Sequence, residues 1–395
     1  VLAVALILLR ERRGKSTMRK DHHMTPALQK ELAFISGTLA LLAARRRSAL
    51  WTGVFTAGAS ALYLASLRRR FDYLGSRVYI TGGSRGLGLS LAWNALQRGA
   101  QVTLVARDEE ELSRAQDILL GDFPEAQIFI DRCDVTDPEQ LRHSISAAIG
   151  NMGGIDLLIN NAGSILVGPF RSMTREDFEA QLKLHVLAVV EATQLVLPHF
   201  RARGQGRILN VCSLGGKVAV PHMLPYDTSK FALAGFSQGV AAELAMDNIF
   251  VTTAYPTVMR TGSPIQAVFK GDHEREFEWF AALDNMPLLS MSADAAAKKM
   301  LDAVVEGRTE LLLSLPAKAR NLLATVVPET VQALMAFAAT LLPRGESHER
   351  KTGGASAKKF DENPALKPLR ERGHRAEDTY NQVDSQNPEF NLGLH

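Results

Sequence analysis

The chain has 395 residues, 46% of them apolar and 22% charged, which excludes wholesale disorder and suits one large domain with extensions. Its net charge of +3 is uneven: residues 1–75 hold 13 Lys or Arg against 4 Asp or Glu, a net of +9, so the remainder carries −6. Arginine triplets at 45–47 and 68–70 bracket an apolar run and do not alternate with aromatics, which points away from nucleic acid and toward a membrane edge.

In chain order, the apolar run Val1–Leu9 is followed by a basic stretch from Arg10 to Lys20, and then by a second apolar run, Leu32–Ala44, too short to cross a bilayer alone. Ser48–Leu67 is twenty residues without a charge, long enough for a membrane helix, with Trp51 and Tyr63 near its ends as interfacial aromatics. Two helices packed on the protein's own surface are the alternative for 32–67. From Arg77 onward strand and helix alternate. Strands are predicted at 78–80, 101–105, 127–130, 156–159, 207–211 and 249–254, and helices at 89–98, 109–120, 138–149, 174–200 and 225–246. The strands are rich in Val, Ile and Leu without polar alternation, as in a doubly wound parallel α/β sheet buried on both faces. Pro316–Leu342 has an apolar helical face, and 345–395 is polar and predicted disordered. The expected division is an extension over 1–75, a catalytic domain over 76–315, a helical extension over 316–344 and a tail over 345–395. The two cysteines, Cys133 and Cys212, lie in apolar stretches and read as core residues in a reducing compartment. Histidines show no ligand spacing, so no metal is expected.

Chemistry concentrates in two places. The first is Thr81-Gly82-Gly83-Ser84-Arg85-Gly86-Leu87-Gly88, between a strand and a helix. There glycines let a phosphate approach the backbone, and the helix start offers unpaired N–H groups. At the end of the second strand the chain has Ala106-Arg107 where an acid would bind a ribose hydroxyl; Arg107 with Arg85 favours the 2′-phosphate of NADP(H). The second is Ser213 with Tyr226 and Lys230, the latter two on one predicted helix face. A neighbouring ammonium stabilises a phenolate, so Tyr226 could exchange a proton with a carbonyl or alcohol oxygen while Ser213 bonds that oxygen. An exposed Tyr/Lys helix pair is the unexciting alternative.

These motifs in this order resemble the short-chain dehydrogenase/reductase family over about 76–315. Further matches are Asp134-Val135, Asn160-Asn161-Ala162-Gly163, and Ser213 thirteen residues before Tyr226. The resemblance implies a Rossmann-type fold and NADP(H)-dependent oxidoreduction of a carbonyl or secondary alcohol. It places Asp134 and Val135 near the adenine, Asn161, Ala162 and Gly163 along the cofactor cleft, Pro256, Val258 and Thr261 beside the nicotinamide, and Lys230 on its ribose. It also implies a homodimer or tetramer through helices around 181–200 and 226–245. Two departures stand out: His185 replaces the family's catalytic asparagine, and Thr257 replaces a common glycine. Phe269, Phe277, Trp279, Phe280, Met286, Leu288 and Leu289 fall in the family's substrate loop, which suits a lipid-like ketone or alcohol unless they merely pack that loop. With a membrane anchor, the catalytic domain is expected on the cytosolic side. A membrane-tethered NADP(H)-binding protein with little turnover is the competing function.

Overall fold

The structure is a computed structural model that describes residues 26–45, 49–68, 71–287 and 290–382. The predicted run Val1–Leu9, most of both arginine triplets, Leu288, Leu289 and the tail beyond 382 lie outside the described residues.

Seven parallel strands form the central sheet: β1 (Arg77–Thr81), β2 (Gln101–Ala106), β3 (Ile128–Arg132), β4 (Leu157–Asn160), β5 (Gly206–Val211), β6 (Ile249–Tyr255) and β7 (Glu310–Leu312). Their spatial order is β7-β6-β5-β4-β1-β2-β3. Period-two side-chain alternation sends successive strand residues to opposite faces. Thus Val78 and Ile80 join one buried cluster with Leu87, Leu91, Leu112, Met300 and Val304. Tyr79 joins the other, with Leu141, Ile145, Val196 and Phe200. Two apolar layers of helices against one sheet give a three-layer α/β/α domain. The sequence order of strands reverses between β1 and β4, and a cleft opens beyond their carboxyl ends at such a reversal.

The helices of eight or more residues among those described are, in chain order, α1 (Pro26–Arg45), α2 (Ala49–Arg68), α3 (Gly86–Gln97), α4 (Glu109–Asp122), α5 (Pro138–Met152), α6 (Arg175–Leu182), α7 (Ala188–Arg203), α8 (Leu224–Leu244), α9 (His273–Asn285), α10 (Ala293–Glu306), α11 (Leu315–Val326), α12 (Pro328–Leu341) and α13 (Lys367–Thr379). The helix predicted over 174–200 is interrupted: α6 and α7 are joined by a π-helical turn, Lys183–Leu187, that contains His185. Such a turn re-aims a helix and its backbone groups.

At the N-terminus α2 coincides with the predicted apolar run. The shorter run 32–44 needs correction, because it belongs to a helix of 20 residues that meets the length for crossing a membrane. α1 and α2 pack along each other, and Lys30 of α1 pairs with Glu306 at the end of α10. Their outward side chains include Phe34, Ile35, Leu41, Leu42 and Trp51. The second stretch that is long and apolar enough, Arg175–Arg203, is half buried in the domain and is a core helix. The single helix expected across 316–342 is also broken: Pro328 starts a new helix, and α11 and α12 meet at 115°.

The largest correction concerns the tail. Residues 345–382 are ordered on the catalytic domain and are not a disordered segment. Strand residues Lys351 and Thr352 pair with Phe269 and Val268. Arg350 bonds the buried carboxylate of Asp177 at 2.8 Å, which Lys270 bonds on its other oxygen at 2.7 Å. Phe360 inserts edge-on against Phe277, beside Phe269 and Phe280. A polar average hides these few anchors, each of which finds a prepared partner on the domain.

Candidate active site

The glycine loop following β1 has the shape its sequence predicts. Gly82 and Gly86 take positive φ values of 64° and 57°. A Cβ on Gly88 would lie 1.9 Å from the Gly82 carbonyl, so only glycine fits there. The loop is fixed from the end of β4: the Asn161 amide donates to the carbonyls of Thr81 (3.1 Å) and Gly82 (2.9 Å). The backbone amides of Asn161 and Ala162 donate to the Thr81 hydroxyl at 3.0 and 3.1 Å. Asn161 therefore acts as a brace under the loop. The first turn of α3 leaves its N–H groups without intrahelical partners, facing the cleft region a dinucleotide's phosphates need. By shape and donor set, these residues fit such a cofactor.

The basic residues at the end of β2 are balanced more than the sequence implied. Arg85 is paired with Glu111 at 2.7 Å, and Ser84 donates to the other oxygen of the same carboxylate. Burial pulls the Arg107 guanidinium below its ordinary range, with Asp134 and Glu111 acting against that and Arg85 reinforcing it. Glu111 and Asp134 thus set two carboxylates against the two arginines. Glu111 was missed in the sequence because it reads as one acid among three in the first turn of α4. The remaining cleft residues take structural positions. Asp134 accepts from the Thr136 amide at 2.8 Å, Val135 is buried, the Pro256 carbonyl accepts from Leu214 at 2.8 Å, and the Val258 carbonyl accepts from Met291 at 3.2 Å. Thr261 is buried and its hydroxyl accepts from the Ser263 amide. Gly163 lies under the His185 ring, which a Cβ would meet at 2.9 Å.

Ser213, Tyr226 and Lys230 come together where β5 ends against α8. Ser213, whose hydroxyl accepts from the Gly215 amide at 3.0 Å, acts on the Tyr226 phenol to favour its charged form, and the Lys230 ammonium lies 5.6 Å from the centre of that ring. Lys230 also donates to the Val211 carbonyl at 3.1 Å. Burial pushes the Tyr226 phenol above its ordinary value, opposed by Ser213, and pulls Lys230 down to about 8. The direction at Tyr226 is opposite to the one expected from an adjacent ammonium, because desolvation is the largest influence on the phenol in the free protein.

His185 is buried beside them, its ring edge-on to Tyr226 at 5.5 Å. Its Nε2 accepts from the Ser164 amide at 3.1 Å, which leaves Nδ1 to donate to the Ser229 hydroxyl at 2.7 Å. Ser229 in turn donates to the Tyr226 carbonyl at 2.6 Å. Burial, reinforced by Lys230, drives the imidazole well below its ordinary value, so it stays neutral. His185 links the end of β4 to the turn of α8 that carries Tyr226. Its partners Ser164 and Ser229 had no sequence signal.

The aromatics expected to line a substrate site do something else. Phe269, Phe277 and Phe280 are buried against one another and Phe360, and the Trp279 indole donates to the buried Glu276 at 2.7 Å. They pack the loop onto the domain. Separately, a cleft of about 540 Å³ lies between Pro169, Phe170, His222, Ala339 and Arg344, with α12 as one wall.

A family model described as short chain dehydrogenase matches residues 76–268. An oxidoreductase of Botryotinia fuckeliana is 36% identical over 191 residues, 48% of this chain and 68% of that protein. The SadH protein of Mycobacterium tuberculosis is 30% identical over 267 residues, covering 67% of this chain and 95% of its own. The 3-dehydrosphinganine reductase of Danio rerio is 34% identical over 185 residues, 46% of this chain and 56% of the relative. Among solved structures, a short-chain dehydrogenase from Streptomyces avermitilis superposes with a TM-score of 0.56 at 26% identity, over 67% of this chain and 96% of that one. One from Burkholderia phymatum in complex with NAD gives 0.59 at 22% identity, over 66% and 96%, a likeness of fold alone.

Proposed function

The chain belongs to the short-chain dehydrogenase family, and from that premise we propose an NADP(H)-dependent oxidoreductase that reduces a lipid-like ketone, using Tyr226 as the proton donor. The observation that carries this reading is the meeting of half-buried Ser213 and Tyr226 with buried Lys230 at the carboxyl edge of the sheet. When bound, the dinucleotide supplies the hydride that reaches the carbonyl carbon. The Tyr226 hydroxyl gives its proton to the carbonyl oxygen, Ser213 donates a hydrogen bond to that oxygen, and Lys230 holds positive charge next to the phenol. The phenol is protonated in the free protein, the state in which it can give a proton to a carbonyl oxygen. His185 holds the Tyr226 turn from behind. Asp134 and Val135 would border the adenine, Ala162 and Gly163 the cleft floor, and Pro256, Val258 and Thr261 the nicotinamide side.

The preference for NADP(H) rests on Arg107 and Arg85 beside a neutral Ala106 at the last residue of β2, with Arg85 already paired to Glu111. A lipid-like substrate is supported by the apolar exposure of α1, α11 and α12, by the cleft beside α12, and by similarity to a 3-dehydrosphinganine reductase. The same surfaces support membrane association through α1 and α2 with the catalytic domain on the cytosolic side. A homodimer or tetramer through α7 and α8 completes the proposal. The position of His185 motivates one rival, a tethered binding protein with little turnover.

The test compares NADPH and NADH consumption by the detergent-purified chain on long-chain and polycyclic ketones, with Tyr226→Phe in parallel. NADPH-preferring turnover that drops by about 10²–10⁴ in the variant, with nucleotide binding retained, is expected. Tight NADPH binding without turnover on any ketone sinks the enzyme reading in favour of the rival.

A further inference from the structure

The last described residues lie on the glycine loop. The Tyr380 carbonyl accepts from the Gly86 amide at 2.9 Å. The Asn381 side-chain amide donates to two carbonyls, Ser84 at 2.9 Å and Glu111 at 3.0 Å, and its oxygen accepts from Arg114 at 3.4 Å. The Gln382 amide crosses to the opposite rim and donates to the Thr261 carbonyl at 2.9 Å. Approach on both rims is close: a Cβ on Gly86 would meet Gln382 at 3.1 Å, and one on Gly262 would meet Glu377 at 2.7 Å. Asn381 holds φ of 55°, a left-handed conformation that asparagine adopts more readily than most residues.

We propose that residues 376–382 form a strap belonging to the dinucleotide site, with Tyr380, Asn381 and Gln382 as positioning residues that preset the glycine loop and tie it to the Thr261 loop. The proposal rests on the dinucleotide reading above. Two features favour a strap over a plug that fills the phosphate site. A plug would offer acceptors to the start of α3, as a phosphate does. Here the two side chains donate, and they donate to carbonyls: Ser84, Glu111 and Thr261. At the start of α3 the Tyr380 carbonyl takes the Gly86 amide, and among the described residues no acceptor of the strap is bonded to the Leu87 or Gly88 amides that follow. Loop carbonyls satisfied in advance leave less ordering to be done when a ligand arrives, which lowers the entropic cost of binding. The strap is itself moored by Arg350 on Asp177 and by Phe360 in its aromatic pocket.

The test uses the full chain and two variants. Asn381→Gly removes the side-chain amide while keeping a residue at ease with positive φ. Gln382→Ala cuts only the tie to Thr261. NADPH binding is read by fluorescence titration and stopped-flow release, kinetics by KM and kcat, and folding by thermal midpoint. The expected result is NADPH affinity reduced about tenfold in Asn381→Gly with faster release, visible in KM for NADPH far more than in kcat. Gln382→Ala gives a smaller loss in the same direction, and the thermal midpoint stays close to that of the parent. Unchanged affinity in both variants overturns the strap, and tighter binding overturns it in favour of a plug. If the parent chain binds neither NADPH nor NADH, the dinucleotide reading itself fails and takes the strap with it.

Discussion

Lys230 and Tyr226 share one buried space, and its main effect is to disfavour charge. With Lys230 at about 8 in the free protein, its ammonium form predominates at neutral pH and is lost as pH rises. The expected profile of kcat/KM for ketone reduction is therefore level near neutrality and falling above about pH 8, since that ratio reports the free enzyme. Lys230→Arg carries a cation that stays protonated throughout, so its residual activity is expected to lose this alkaline decline. A parent profile that stays level to about pH 10 contradicts the role given to Lys230. The Tyr226–Lys230 pair was legible in the sequence because a four-residue spacing is a local fact about a helix. Ser213 was legible too, but the burial that sets their protonation was not, because it is built by the packing around them.

The same contrast holds among elements. Six of the seven sheet strands, the glycine loop and its flanking helix were readable because apolar runs, glycines and helical periodicity are local patterns, whereas the short edge strand Glu310–Leu312 carries no such run and was missed. The clamp of Glu111 on Ser84 and Arg85, the brace of Asn161 and the bridging bonds of His185 join residues distant in sequence, and nothing local marks them. The aromatics 269–280 were left open between substrate lining and loop packing because their partner, Phe360, stands about eighty residues further along. The tail was assigned to disorder because composition averages over its anchors. The mooring at Asp177 carries a prediction of its own. Burial would raise this carboxyl, but hydrogen bonds from Lys270, the Thr174 amide and Arg350 hold it below its ordinary range. Its contribution to stability is present above the unfolded value of about 3.9 and is lost as pH falls through the lower folded value. Asp177→Asn, which leaves Lys270 buried without its counter-charge, is expected to cost about 3–5 kcal/mol in chemical denaturation. A loss below about 1 kcal/mol would show that the pair does not hold the tail.

At the scale of the whole molecule, apolar surface is concentrated on two helical pairs. α1 shows Phe34 at 78% exposure and Leu41 at 74%, and α11 and α12 show Leu322, Leu323, Phe337 and Leu341. Contiguous exposure of this kind marks a surface meant to be covered. With liposomes of mixed neutral and anionic phospholipid, the intact chain is expected to float with the vesicles. Phe34→Asp with Leu41→Asp should reduce that binding, because a carboxylate costs about 2.5–3.5 kcal/mol at a membrane-helix centre. An intact chain that stays at the bottom of the gradient refutes membrane association.

The position of the strap also gives the protein a timetable. All seven strands are complete by Leu312, whereas the residues that brace the glycine loop from outside are numbered 380–382. At about 5–20 residues per second, a ribosome takes several seconds to pass from one to the other. A nascent chain can thus assemble its sheet first and receive the contacts on its glycine loop only after residues 380–382 have followed the last strand.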